Sequence, residues 1–440
     1  MTSNHHTPIP SSPKQPANAA TINDRLSELD QAISDLALTE KDGHIIQDEG
    51  ADLPQQQRLN FAGAGVTVTN DPGNNRTLVT IPNDHGGLGG LSDDDHPQYS
   101  FKYADTPNLA VNGGFEFAQE QTPGTYTTIA DKAYGPDQWW VTRENADVQY
   151  KREDGTGESG ITSKYFGTFK KITNTGKFFI CQPIEGRVSV PLRNKTVIFP
   201  IKLKASASKT IRVAVLELQT GGTMDAPPAT LVTAFGANGV DPTFGANVAI
   251  ITAAQSKAVT TAFQQFSVSV TVPSNSKNLF LAIWSNDQFA ANDTLSVAEA
   301  DFYPGSAVRA WMPKDYDKDL AAIRRYFFKT FDIDVAPAQN VGALGAARCI
   351  AGRAGATNLA AIITLRFPAR MFATPTVTTF NPSAANVQVR DSSVGADCSA
   401  TAVSATHTTA DVTTISATGN ASTAVGNIMD VHLTAKARIL

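Results

Sequence analysis

Residues 21–38 read Thr-Ile-Asn-Asp-Arg-Leu-Ser-Glu-Leu-Asp-Gln-Ala-Ile-Ser-Asp-Leu-Ala-Leu. Within them Ile22, Leu26, Leu29, Ile33 and Leu36 stand 4, 3, 4 and 3 residues apart, the spacing of a and d positions in heptads. Asp24, Arg25, Glu28, Asp30 and Asp35 take the outward positions, so the apolar stripe is clean. One helix cannot bury so narrow a seam alone, and the segment asks for partner chains. Leu and Ile alternate without the Ile-at-a, Leu-at-d pattern that favours two strands, which points to a trimeric coiled coil over 21–43. The alternative is an amphipathic helix docked on its own domain. A helix this short is marginal alone in water, so neighbouring β-domains must help hold the bundle.

Outward from the zipper the pattern changes. Residues 1–20 are rich in Pro, Ser, Asn and Ala with almost no apolar content, which predicts a tail that is disordered when free and ordered on docking. Gly43 is a natural helix stop. From His44 to Asn83 the period falls to two: Val66 and Val68, then Leu78, Val79 and Ile81, flank the turn-rich run from Asn70 to Asn75 and predict a hairpin. Residues 60–65 predict a strand broken by a glycine turn, and residues 84–90 a glycine-rich linker. These elements make a small β module over 44–106.

The rest of the chain is strand-like. Runs at 178–180, 196–199, 211–216, 266–270 and 279–284, set between turn clusters, predict a β-sandwich or jelly roll over 107–313. Residues 225–260 read as a long insertion over one edge. Residues 314–326, with Leu320, Ile323 and Phe327 on one face, predict a short helical connector leading away from the jelly roll. Residues 327–440 show short runs at 359–367, 377–380, 387–390, 412–415 and 431–433 among Ala, Thr and Ser. They predict a small C-terminal β-sandwich with a thin core that buries more surface against symmetry mates. The fold class is therefore mainly β.

Composition narrows the function. The net charge is −5 and only 18% of residues are charged, so no general attraction to nucleic acid or anionic membrane is implied. Residues 1–100 hold 5 Lys/Arg against 14 Asp/Glu, an acidic stem below a near-neutral body. Cys181, Cys349 and Cys398 are too scattered for a disulfide framework and predict free thiols, consistent with assembly in a reducing cytoplasm. Neither a secretory signal pattern nor a run of about 18 apolar residues is present, so no membrane insertion is expected.

The candidate sites are few. Trp139 and Trp140 are adjacent, so in a strand their rings point to opposite faces. The ring turned away from the core becomes a sugar-stacking platform unless something covers it. Asp93, Asp95 and His96 are the candidate metal ligands. The preferred reading is that Ser92 caps a helical turn and Asp93 to Asp95 complement its dipole, so no metal is expected. No nucleophile elbow, zinc-protease helix, phosphate-binding loop or paired-cysteine motif occurs, so no enzyme activity and no cofactor is expected.

Three blocks resemble a known family. Residues 46–50, 59–69 and the run Gly90-Leu91-Ser92-Asp93-Asp94-Asp95-His96-Pro97-Gln98-Tyr99 are similar to a module of tailed-bacteriophage virion proteins. The stretch Asn108-Leu109-Ala110-Val111-Asn112-Gly113-Gly114-Phe115-Glu116, with residues 133–140, resembles the start of a carbohydrate-binding-type jelly roll in such appendages. Arg324-Arg325-Tyr326-Phe327-Phe328-Lys329 is similar to the run that follows it. The resemblance implies a homotrimeric, non-enzymatic tail fibre on the virion, docked to tail, neck or portal-proximal proteins through its N-terminus. Its distal domains, outermost after Phe327, would face a host-surface glycan. A neck, collar or head fibre is the alternative, and a glycan-degrading appendage the alternative of another class.

Overall fold

The computed structural model describes residues 18–39, 47–48, 51–52, 67–74, 76–80, 107–145 and 147–440. Contacts divide the chain into two compact units, Met1–Pro97 and Gln98–Leu440. The docking tail, Gly43, the 60–65 turn and the 84–99 linker, with Asp93, Asp95 and His96, fall outside the described residues apart from the last turnward residues of the tail at 18–20.

In the first unit a helix runs from Asn18–Thr39, as the heptads require. Along the stripe Ile22 is 42% exposed, Leu29 55%, Ile33 42% and Leu36 62%, with Leu26 half-buried. Local pairs on the polar faces are Arg25 with Glu28 at 2.9 Å and Gln31 with Asp35 at 2.7 Å. The hairpin also forms. Strands Thr67–Asp71 and Arg76–Thr80 pair antiparallel with Val68 opposite Val79, and Pro72–Asn74 supplies a 3-10 turn.

In the second unit two seven-stranded antiparallel sheets face each other. The first runs Val248–Ile250, Lys209–Leu218, Asn278–Ser285, Phe178–Ile184, Trp140–Arg143, Ala133–Tyr134, with Gln255–Val259 also on Lys209–Leu218. The second runs Gln264–Thr271, Thr196–Ala205, Thr294–Ala298, Tyr165–Lys171, Val148–Asp154, Thr127–Ile129, with Tyr303–Pro304 on Thr196–Ala205. Period-two alternation supplies the core between them: Phe199, Ile201 and Leu203 from one sheet meet Val213, Leu281 and Ile283 from the other.

The run at 279–284 is apolar at successive positions because its sheet is buried on both faces. Phe280, Ala282 and Trp284 point outward with Trp140, Phe179 and Leu216, and Leu231, Val232, Phe235 and Phe244 of the insertion close over them. The insertion therefore covers a face, besides adding the edge strands Val248–Ile250 and Gln255–Val259.

The Asn112-Gly113 pair of the 108–116 motif has a structural task. Asn112 adopts a left-handed φ of 53°, and its buried amide donates to the carbonyls of Phe117 (2.8 Å) and Asp137 (3.0 Å). A Cβ on Gly113 would lie 2.1 Å from the carbonyl oxygen of Ala300.

A helix forms at Tyr316–Arg324, capped by Asp315, whose carboxylate accepts from the Lys318 amide at 3.0 Å. It does not lead away from the jelly roll. Leu320 and Ile323 pack on Phe117, and Asp319 accepts from the Asn112 amide. The C-terminal sandwich follows. Its central strand Ile428–Lys436 is flanked by Phe327–Lys329, Ala347–Ile350, Thr376–Phe380 and Arg390–Asp391, and a three-stranded sheet of Leu359–Arg366, Val412–Thr418 and Ala400–Val403 closes it. The run expected at 387–390 enters a strand only at Arg390. Before it, Asn381, Asn386 and Asp397 bond to one another and hold a turn. The core is thin as expected: around Met429, Val431 and Leu433, most of its other members are alanines, valines and isoleucines.

Candidate functional site

The sandwich offers two outward faces, and the chain itself seals one of them. Trp139, at the end of a turn just before the strand Trp140–Arg143, packs in the main core, and Trp140 packs in the outer cluster on the opposite side of the sheet. Trp140 nevertheless presents no platform. Trp139 is 0% and Trp140 1% exposed, the second roofed by the insertion and by Leu440. The expectation of an exposed ring is therefore corrected. Burying each ring stabilises the fold by up to about 4–6 kcal/mol, so both tryptophans serve packing.

The outward side of the second sheet is the open face. Across it runs a line set by strand register: Lys151 lies opposite Thr168, Thr168 opposite Ser296, and Ser296 opposite Lys204. Four strands at the usual spacing put the two lysines about 14 Å apart. The Thr168 and Ser296 side-chain oxygens are 3.0 Å apart at its centre, buried between taller neighbours. An aromatic stands at each end. The Lys151 ammonium lies 5.2 Å from the Tyr126 ring, and that of Lys204 4.7 Å from the Phe263 ring and 5.1 Å from Phe166. Phe166 and Phe263 meet edge to face at 5.2 Å. Lys170 approaches Tyr126 at 5.2 Å as well.

Carboxylates on this face balance the lysines. Glu153 pairs with Lys151 at 2.8 Å, Glu158 with Lys204 at 2.9 Å and Glu299 with Lys202 at 2.7 Å. Glu299 is buried, which pushes its pKa up. The Lys202 contact and the amides of Thr162 and Ser163 outweigh this and hold it below the usual carboxylate range. The Tyr126 hydroxyl is raised, first by burial and then by Glu153. The result is a near-neutral strip with ammonium donors, one half-buried ring at Tyr126, buried rings at Phe166 and Phe263, and a buried Thr168–Ser296 hydroxyl pair. Those are the groups that recognise a sugar: apolar ring faces and many hydroxyls.

Deeply buried carboxylates hold structural partners: Asp430 takes Arg348 and Ser392, Asp391 takes Thr423 and Asn427, Glu217 takes Ser276. Among the described residues no group of three or more His, Cys, Asp or Glu could hold a metal ion. Cys181 and Cys398 are buried and Cys349 half-buried, all three unpaired, with burial raising each thiol.

The sequence signals for this strip were polar and modest. Gln149, Lys151 and Glu153 alternate with buried Val148 and Tyr150, marking one polar strand face. The tryptophans draw attention by size, while the strip is assembled from strands far apart in sequence.

No protein-family model matches the chain. No curated protein matches it. Among solved structures, the enzymatically active domain of bacteriophage CBA120 tailspike protein 4 aligns at 9% identity and a TM-score of 0.29, over 45% of this chain and 21% of that one. The carbohydrate-binding module TmCBM61, solved with β-1,4-galactotriose, aligns at 10% identity and a TM-score of 0.27, over 45% of this chain and 99% of that one. The C-terminal family 22 carbohydrate-binding module of Clostridium thermocellum Xyn10B aligns at 11% identity and a TM-score of 0.26, over 46% and 99%. These are loose likenesses, and the chain spans about a fifth of the tailspike structure's length.

Proposed function

We propose that this chain is a non-enzymatic adhesive appendage, homotrimeric through Ile22, Leu26, Leu29, Ile33 and Leu36, that contacts a glycan with the open face of its jelly roll. The observation that carries the glycan reading is the registered line Lys151–Thr168–Ser296–Lys204 with an aromatic at each end. The bare heptad stripe supports assembly, because an apolar seam left in water is a standing cost that copies of the helix remove together. Three copies multiply a weak contact, so one strip of modest affinity suffices.

The setting we propose is a phage virion, assembled in the host cytoplasm and docked by residues 1–20, with a tail fibre ahead of a neck or head fibre. Labelled antibody against residues 327–440 locates the chain on purified particles. Label at tail-fibre tips supports the reading, label at the neck or capsid transfers it to the alternative, and unlabelled particles reject the virion setting. Incubation with bacterial surface polysaccharide supplies the other arm: progressive shortening of the polymer rejects the non-enzymatic reading.

A further inference from the structure

Between the jelly roll and the C-terminal sandwich lies a seam of ion pairs, of which Arg152 with Asp334 at 3.0 Å runs one way and those of Glu120, Asp137 and Glu185 run the other. The jelly roll contributes the carboxylates Glu120, Asp137 and Glu185. The connector end and the C-terminal sandwich contribute the cations Arg325, Lys329, Lys436 and Arg438. Glu185 is buried and takes Arg325 through two nitrogens, the Tyr326 hydroxyl, and Arg187 from its own side at 2.8 Å. Glu120 takes Arg438 at 2.6 Å and Lys436 as well. Arg438 lies 3.7 Å from Asp137, and its guanidinium stacks over Tyr134 at 4.2 Å and Phe327 at 5.0 Å. The Lys329 ammonium donates to the carbonyls of Gln119 (2.9 Å), Ile333 (2.8 Å) and Val335 (2.8 Å), the first from the jelly roll and the others from its own side.

We propose that this seam is an acid-released latch: at neutral pH it locks the two sandwiches into one body, and protonation of Glu120 and Glu185 frees the C-terminal sandwich from the jelly roll. The sharing of each glutamate among several cations is what makes it a latch. An ordinary ion pair that loses its carboxylate leaves one cation to find water. Here the loss leaves Arg325 facing Arg187 across the seam, and leaves Arg438, at 7% exposure, without the Glu120 carboxylate. Opening hydrates Arg325 and Arg438, the two largely buried guanidinium groups. The apolar contacts of the seam are Leu440 in the outer cluster and Ile333 against Phe117, Leu320 and Ile323. The Phe117–Leu320–Ile323 contact keeps the connector helix on the jelly roll, so the sandwich beyond it is the part released.

The groups facing each member fix the direction. Burial raises Glu120, but Arg438 and Lys436 outweigh it and hold the carboxyl below its ordinary range. Burial raises Glu185, and Arg325 and Tyr326 outweigh it with help from Arg187. Asp137 faces Arg438, the Gln119 amide and Glu120, and burial leaves it above its ordinary range. Lys329 faces Asp137, Asp334, Asp332 and Glu120. Two carboxyls held low give stability that is present above the ordinary glutamate range and lost as pH falls through their depressed values. The latch is therefore closed at neutrality and opens below about pH 4.5. This inference does not depend on the glycan reading.

Hydrogen exchange by mass spectrometry on the full chain tests it, using the double variant Glu120→Gln, Glu185→Gln at pH 7 as the protonated state. Expected is exchange at least about tenfold faster at residues 117–121, 185–187, 325–329 and 436–440, with strand cores 279–284 and 429–433 as slow as in the wild type. Wild-type chain pulsed at about pH 3.5 should show the same pattern after correction for intrinsic rates. Seam residues that stay protected in the double variant overturn the latch. So does equal loss of protection in seam and cores, since the pairs would then hold the fold and not a joint.

Discussion

The side-chain oxygens of Thr168 and Ser296 lie 3.0 Å apart on adjacent strands, at the centre of the jelly roll's open face. Both residues are small, so the taller Lys151 and Lys204 on either side leave a shallow floor between them. On the proposed reading, a sugar hydroxyl meets a donor and an acceptor together there.

Filling the floor should abolish contact without disturbing the fold. Ser296→Gln places a longer side chain over Thr168, with its polar end free to reach water. Glycan retention should fall at least about tenfold, a loss of roughly 1.4 kcal/mol, while the urea midpoint moves little. Retention measured on immobilised polysaccharide beside a denaturation curve separates the two effects.

Trp140 should behave as a packing residue. Trp140→Ala removes a buried ring from under the insertion and should cost about 3–5 kcal/mol of stability. Trp140→Phe should cost less and leave glycan retention unchanged. A folded Trp140→Phe variant that loses retention would restore the stacking role that its burial argues against.

Assembly should rest on the heptad stripe. Light scattering on the full chain should give about three times 46.7 kDa. Leu29→Asp brings three carboxylates into one apolar layer and should dissociate the trimer. A wild-type chain that stays monomeric at high concentration rejects the trimer.

Mild alkali should stabilise the chain. Burial pulls the Lys171 and Lys329 ammonium groups down to about 8. A lysine whose folded pKa is depressed sheds its proton in the folded state first, so stability rises as pH climbs from about 8 towards 10. Above that range burial of Tyr134, Tyr150 and Tyr326, which raises each hydroxyl, reverses the trend as unfolded tyrosines ionise. Urea midpoints at pH 7, 9 and 11 should therefore rise and then fall. Lys329→Met should flatten the rise.

Much of the fold was legible because local pattern carried it. The 4-3-4-3 spacing gives the helix at Asn18–Thr39, and the turn residues 70–75 give the hairpin around Pro72–Asn74. Five strand runs in the jelly roll fall inside strands. The fate of Trp140 was not legible, because its cover comes from Leu231, Val232, Phe235 and Phe244 in a segment whose Pro and Gly hide any period. The attached position of the connector was hidden for a similar reason. Glu120 and Lys436 stand 316 residues apart, and Arg325 and Glu185 140 apart, and no periodicity links such pairs. The strip itself could be sensed only strand by strand, since register alone brings Lys151, Thr168, Ser296 and Lys204 into line.

The most direct test compares retention of four trimers on a panel of immobilised bacterial surface polysaccharides: wild type, Tyr126→Ala, the double variant Lys151→Ala, Lys204→Ala, and Ser269→Ala on the same face away from the line. The account predicts that wild type and Ser269→Ala are held by at least one polysaccharide, and that the Tyr126 and double-lysine variants, still trimeric and folded, are released. Equal retention of all four trimers, or of none on any polysaccharide, would contradict it.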